Sequence, residues 1–146
     1  MLRPLILMPV LLLAACAPPG GGAEGAAGGM PRSRSAEAGN ADLERGAVLA
    51  LSCRACHTFG AGEAHLLGPN LYGLFGRLTG SAAGFEYSAA LREADFIWTP
   101  EALDTWLAEP GSFLPGNSMV FAGFSSASDR GDLIAYLLRA TADGAP

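Results

Sequence analysis

Cys53 and Cys56 stand three positions apart, and a histidine follows directly: Cys53-Arg54-Ala55-Cys56-His57. On a helical turn, residues at that spacing share a face. Two thiols and an adjacent imidazole on one face can fix a haem covalently, the thiols bonding the two vinyl groups of one porphyrin and the imidazole the iron. His57 is then the proximal axial ligand, and its second ring nitrogen needs an acceptor to hold the ring's orientation. Three other uses of the motif fit less well. A dithiol redox pair normally follows a strand in a βαβ unit, and no such pattern surrounds Cys53. A structural zinc site needs four ligands, and the folded region offers no second Cys-x-x-Cys pair. A plain disulfide is the last.

A sixth iron ligand would have to come from elsewhere in the chain. Met119 is the only methionine of the folded region, in Pro115-Gly116-Asn117-Ser118-Met119-Val120-Phe121. A lone Met is usually core filler. In a polar, turn-rich loop that role is less natural, and an axial thioether becomes the better assignment. His65 is the rival, but it lies only eight residues after His57 in a Gly-rich loop, poorly placed for the opposite haem face. It reads as a solvated loop residue.

Short helices and long loops must position these groups. Asp42 can cap a helix running through Leu43, Gly46, Ala47 and Ala50 towards Cys53. Ser126-x-x-Asp129 looks like a capping box ahead of Leu133, Ile134, Leu137 and Leu138. These two helices are expected to cross with Gly46 near Tyr136. Thr99-Pro100-Glu101 is a helix start, with Leu103, Trp106 and Leu107 on its buried face and Pro110 as its stop. The stretches 58–88 and 111–125 are rich in Gly and Pro and read as loops. Loops of that length are normally suspect in so small a domain, unless they wrap a haem. No β-strand pattern is convincing, so the expected class is all-α.

The chain of 146 residues has room for one domain, 41–146, preceded by segments of another kind. Arg3 and the apolar run from Leu5 to Ala15 read as an export signal over 1–15, too short to span a bilayer comfortably. The run ends in Leu13-Ala14-Ala15-Cys16, which resembles the lipobox of bacterial lipoprotein precursors. That resemblance implies cleavage before Cys16 and a diacylglyceryl group on its sulfur, which would also explain the odd third cysteine. Two or more acyl chains give stable membrane anchoring. The alternative is an ordinary signal cut near Ala15 or Ala17, releasing a soluble periplasmic protein. Residues 16–40 then form a Gly/Ala/Pro-rich tether with no apolar periodicity, about 25–30 Å end to end as a flexible coil.

Nine Arg and no Lys face 14 acidic side chains, and from residue 41 onward the balance is six Arg against twelve Asp and Glu. Such a surface disfavours a nucleic-acid partner. It would favour basic or weakly charged docking patches with a salt-dependent effect, although solubility alone accounts for it as well.

Taken in order, Cys53-x-x-Cys56-His57, Gly68-Pro69-Asn70-Leu71, Gly73-Leu74-Phe75-Gly76-Arg77, Trp98, Pro115-Gly116, Met119 and Asp132-Leu133-Ile134-Ala135-Tyr136-Leu137 resemble class I cytochrome c, in its bacterial cytochrome c2 and mitochondrial-type branch. The resemblance covers 41–141 without a large gap. It implies one haem c, held by Cys53 and Cys56 and ligated by His57 and Met119. It further implies that the Pro69 carbonyl accepts the His57 ring N–H, that Arg77, Tyr87 and Trp98 settle the inner haem propionate, and that Phe121 covers the haem edge. Buried propionates need such donors.

Several positions depart from the family pattern. Leu91 stands where an Asn is common near the propionate, and Asn117 where a Thr usually holds that propionate from the Met loop. Trp106 replaces a Tyr that can bond the Met sulfur, a role an indole N–H can also fill. The lysine ring by which many relatives dock their partners cannot form in this chain.

The function these features imply is one-electron transfer without substrate turnover. The carrier would be a monomer tethered on the periplasmic side of a bacterial inner membrane, its partners the membrane redox complexes of a respiratory or photosynthetic chain. His/Met ligation would keep both axial bonds through the Fe(III)/Fe(II) cycle. The alternative is a ligand-binding or peroxidase-like haem protein in which Met119 dissociates. A third hypothesis is an assembly lipoprotein in which haem is structural.

Overall fold

A computed structural model describes residues 41–142, all within the second of two units into which the chain divides, Arg32–Pro146. The expected export signal, the Cys16 lipid site and the tether lie outside the described residues.

Six helices form in order: α1 Leu43–Leu49, α2 Leu51–Arg54, α3 Ala89–Glu93, α4 Pro100–Ala108, α5 Pro110–Phe113 and α6 Ala127–Ala140. The caps expected from the sequence are present. Asp42, Thr99 and Ser126 each accept a backbone N–H three residues on, from Arg45, Ala102 and Asp129. The box at Ser126 is completed differently, because the Asp129 carboxylate takes the Arg45 guanidinium. Among the described residues the only β pairing is one isolated antiparallel bridge, Leu78 to Ile97, so the class is all-α.

The two ends of the domain lock together where α1 packs on α6. Gly46 permits the approach: a Cβ there would fall inside the contact radius of the Asp132 carbonyl oxygen and lie 2.8 Å from the Tyr136 Cβ. Polar contacts flank the crossing. The Asp42 N–H donates to Asp132 Oδ1 at 2.9 Å, and Arg45 pairs with Asp129 and, at 3.5 Å, with Asp132. Asp132 is a buried carboxylate held by these two donors, which offset the cost of its burial.

Leu133, Ile134 and Leu137 of α6 bury their side chains with Leu103, Trp106 and Leu107 of α4 in one apolar core. A closed set of four rings extends it. Trp98 meets Phe96 and Trp106 edge-on with centroids 4.9 and 5.4 Å away, and Phe113 meets Phe96 and Trp106 at 5.5 and 6.0 Å. The one-turn helices α3 and α5 carry no apolar periodicity long enough to read from sequence. α5 exists because Pro110 both ends α4 and starts the next turn, with its ring buried.

Candidate cofactor site

The helical turn of α2 continues past Arg54: Cys56 N–H and His57 N–H both donate to the Cys53 carbonyl, at 3.0 and 2.9 Å. Cys53, Cys56 and His57 therefore share a face, and all three line one cavity of about 420 Å³. Both thiols are free, and burial pushes the Cys53 thiol up from its ordinary value.

His57 is oriented by Pro69. Its Nδ1–H donates to the Pro69 carbonyl at 2.7 Å, so a neutral ring keeps its single lone pair on Nε2. Burial holds the His57 pKa below the usual histidine value, while the Pro69 bond opposes that shift. Gly68 allows the loop to lie against the ring, since a Cβ there would come within 2.6 Å of Nδ1 and 2.7 Å of Nε2.

Asn70, quoted above only as part of a motif, turns out to hold this loop in place. Its Nδ2 donates to Thr58 Oγ1 at 2.8 Å and the Gly60 carbonyl at 2.9 Å, and its Oδ1 accepts from Tyr72 N–H at 2.8 Å. Its own N–H donates to His65 Nδ1 at 2.9 Å, and His65 Nε2–H donates to the Ala83 carbonyl at 2.9 Å. The expectation of a solvated His65 is thus corrected: the ring is half-buried, packs edge-on against Phe85 and ties the Pro69 loop to the loop at Ala83. These contacts join stretches of loop up to 18 positions apart, which periodicity cannot reveal.

The other expected residues gather round the same cavity. Arg77, Tyr87, Leu91, Trp98, Trp106 and Met119 all line it. Arg77 and Trp98 are brought together by backbone pairing, Trp98 N–H to the Arg77 carbonyl at 3.0 Å and Gly76 N–H to the Trp98 carbonyl at 2.9 Å. The Arg77 Nη atoms donate to the Tyr72 and Asn70 carbonyls, each at 3.2 Å, whereas its Nε is buried without a protein acceptor. Tyr87 Oη accepts the Ala82 N–H at 3.4 Å and keeps its own O–H to donate. Phe121 joins the lining beside Met119 and packs edge-on with Phe124.

Asn117 behaves differently from the propionate donor it replaces. Its amide donates to the Pro110 and Leu114 carbonyls, both at 2.9 Å, and its Oδ1 accepts the Met119 N–H at 2.9 Å. Both ends of the amide are engaged, so Asn117 braces Met119 against α5.

This donor set fits a haem. The cavity lies within the roughly 300–1,000 Å³ range of cofactor-sized sites, and its apolar walls carry two thiols, one imidazole and one thioether. Arg77 Nε is, among the described residues, the one buried side-chain polar atom lacking a partner, as expected where a bound group supplies a carboxylate. Among those residues no cluster of three or more His, Cys, Asp or Glu could hold a bare metal ion. A second depression of about 480 Å³, between α3 and Leu114-Pro115-Gly116, is shallower and offers no such ligands.

The fold and the cavity together define a small all-α protein of the covalent haem class. Similarity places it more closely. The chain is 49% identical to a cytochrome c of Chlamydomonas reinhardtii over 111 residues, 75% of this chain and 99% of that one. It is 44% identical to the cytochrome c of Ulva intestinalis over 111 residues, covering all of that protein. A cytochrome c homolog of Bradyrhizobium diazoefficiens matches at 45% over 98 residues, 53% of its length. No family model matches the chain. The chain belongs to the cytochrome c family, whose members carry haem c through two cysteines and transfer electrons without being enzymes.

Proposed function

We propose that Cys53 and Cys56 bind haem c, that His57 and Met119 are its axial ligands, and that the protein shuttles single electrons between membrane redox complexes. When bound, the haem supplies the Fe(III)/Fe(II) couple. The chain's residues set the conditions. Pro69 fixes the His57 ring, Asn117 fixes the backbone at Met119, and Arg77, Tyr87 and Trp98 offer donors to a propionate. The His57 Nδ1–Pro69 bond carries this proposal, because it commits one ring nitrogen and leaves the other to a metal.

The visible spectrum of the matured protein tests it. A low-spin spectrum with the weak red sulfur-to-iron charge-transfer band, abolished by Met119→Ala, is the expected result. A high-spin wild type, or one lacking the band, would put a ligand-binding or peroxidase-like protein in its place.

For location, Leu13-Ala14-Ala15-Cys16 supports export with residues 1–15 removed, acylation of Cys16, and tethering of the 41–146 domain through 16–40 as a monomer on the periplasmic side of a bacterial inner membrane. A domain so tethered meets membrane partners of a respiratory or photosynthetic chain at raised effective concentration. Among the described residues no helix is long and apolar enough to cross a membrane, and an acyl anchor requires none. Cys16→Ser should release the protein from membranes; unchanged retention would overturn the anchor.

A further inference from the structure

Arg54 stands inside the motif from Cys53 to His57, yet its side chain is not among those that line the haem cavity. It is engaged elsewhere. The guanidinium carbon lies over the Phe59 ring, 4.3 Å from the centroid, and an Nη2–H donates to the Tyr136 hydroxyl at 3.4 Å. One exposed side chain therefore joins the turn that carries both thiols to the loop that follows it and to α6. α2 has few anchors of its own: four residues, none of them fully buried, and no side-chain N-cap. The two surfaces that Arg54 meets are well held. Phe59 is 2% exposed and its N–H donates to the Glu63 carboxylate at 3.1 Å. Tyr136 packs at Gly46 in the crossing of α1 and α6.

A cation over an aromatic face is attracted by the ring's quadrupole, and a planar guanidinium can stack there while donating a hydrogen bond from its edge. The charge so placed has no carboxylate partner. Among the described residues the ion pairs run from Arg45 to Asp129 and Asp132 and from Arg130 to Asp104. Glu63, in the same loop as Phe59, directs its carboxylate to the Phe59 and Gly60 N–H groups. A positive charge fixed at the turn that carries the two thiols raises the energy of a ferric centre more than that of a ferrous one. We propose that Arg54 is a positioning residue for electron transfer: it staples the haem-attachment turn to α6, and it holds at that turn an uncompensated charge that favours the reduced state.

The proposal rests on the haem-carrier function, and its test separates the two. Wild type, Arg54→Met, Arg54→Gln and Arg54→Lys holoproteins are equilibrated in a redox buffer poised at the wild-type midpoint, and the Fe(II)/Fe(III) ratio is read from the visible spectrum. Met keeps the apolar stem over Phe59 without the charge, Gln is a second uncharged variant, and Lys restores the charge. At low salt the ratio should fall about two- to threefold in both uncharged variants, and the deficit should narrow at high salt. Arg54→Lys should keep the wild-type ratio. Amide hydrogen exchange of the ferrous proteins reads the staple through the Cys56 and His57 N–H groups, both bonded to the Cys53 carbonyl. Exchange there should be about two- to fivefold faster in the uncharged variants. A wild-type ratio in both of them, a fall that Arg54→Lys shares, or unchanged exchange at Cys56 and His57 overturns the role of Arg54 while leaving the carrier in place. A wild-type chain that takes up no covalent haem overturns both.

Discussion

Asn117 accepts the backbone N–H of Met119 on its Oδ1 at 2.9 Å while its amide nitrogen grips the carbonyls of Pro110 and Leu114. One side chain thus fixes the candidate thioether ligand to α5 and its C-cap. Asn117→Ala removes all three bonds and should cost about 2–3 kcal/mol of stability. The red charge-transfer band should weaken and the loop should release Met119 at lower denaturant. Guanidinium titrations followed at that band and by far-ultraviolet circular dichroism test this: the two curves should separate in the variant, the band being lost first.

Arg77 holds a buried Nε without a protein partner. Replacing it with Gln removes a positive charge beside the cavity and weakens donation to a propionate, both of which favour the ferric state. The reduction potential should fall by tens of millivolts in a redox titration, and an unchanged or raised potential would argue against the propionate role.

Gly68 lies against the His57 ring so closely that a methyl group cannot be placed there without moving the imidazole. Gly68→Ala is expected to disturb the axial bond, giving a mixed-spin spectrum and a reduced yield of haem-loaded protein. A wild-type spectrum at full yield would show that the loop can yield.

Gly46→Ala improves helix propensity by about 1 kcal/mol in isolation. At this site the new Cβ would strike the Asp132 carbonyl and Tyr136, and overpacking of that kind costs about 1–3 kcal/mol or more. The net effect should be destabilising. A denaturation midpoint at or above that of wild type would refute the tight crossing of α1 and α6.

His57 is buried with its pKa held below the ordinary value of 6.5. The unfolded chain therefore takes up this proton first as the medium is acidified. Stability from the neutral ring is complete above about pH 6.5 and declines as pH falls from there through the lowered folded-state value. Iron ligation extends the same trend, since only the neutral ring can bind. The Soret band of the holoprotein should accordingly hold its position well below pH 6.5 before shifting in acid; a transition centred at or above that pH would contradict the assignment.

Local signals in the chain translated well into structure. Asp42, Thr99-Pro100 and Ser126 mark helix starts because a cap is made within three residues, and the Cys53 to His57 spacing encodes a shared face for the same reason. The closeness of Gly46 and Tyr136 was also legible, from two amphipathic stripes that each needed a partner. Asn70, His65 and Asn117 were not. Their bonds brace loops against other loops or against the short helix α5, and bonds of that kind leave no period and no spacing rule. α3 and α5 escaped for a related reason: one turn is too short for a hydrophobic stripe to repeat.

The joining of α1 to α6 has a temporal side. The helix that leads into Cys53 and Cys56 packs on residues made more than eighty positions later. While the chain is being synthesised, the thiol pair precedes its lock by nearly the whole domain, and closing so long a loop is slow relative to forming local turns. The turn carrying Cys53 and Cys56 is therefore expected to form before the contact between α1 and α6 that closes the domain behind it.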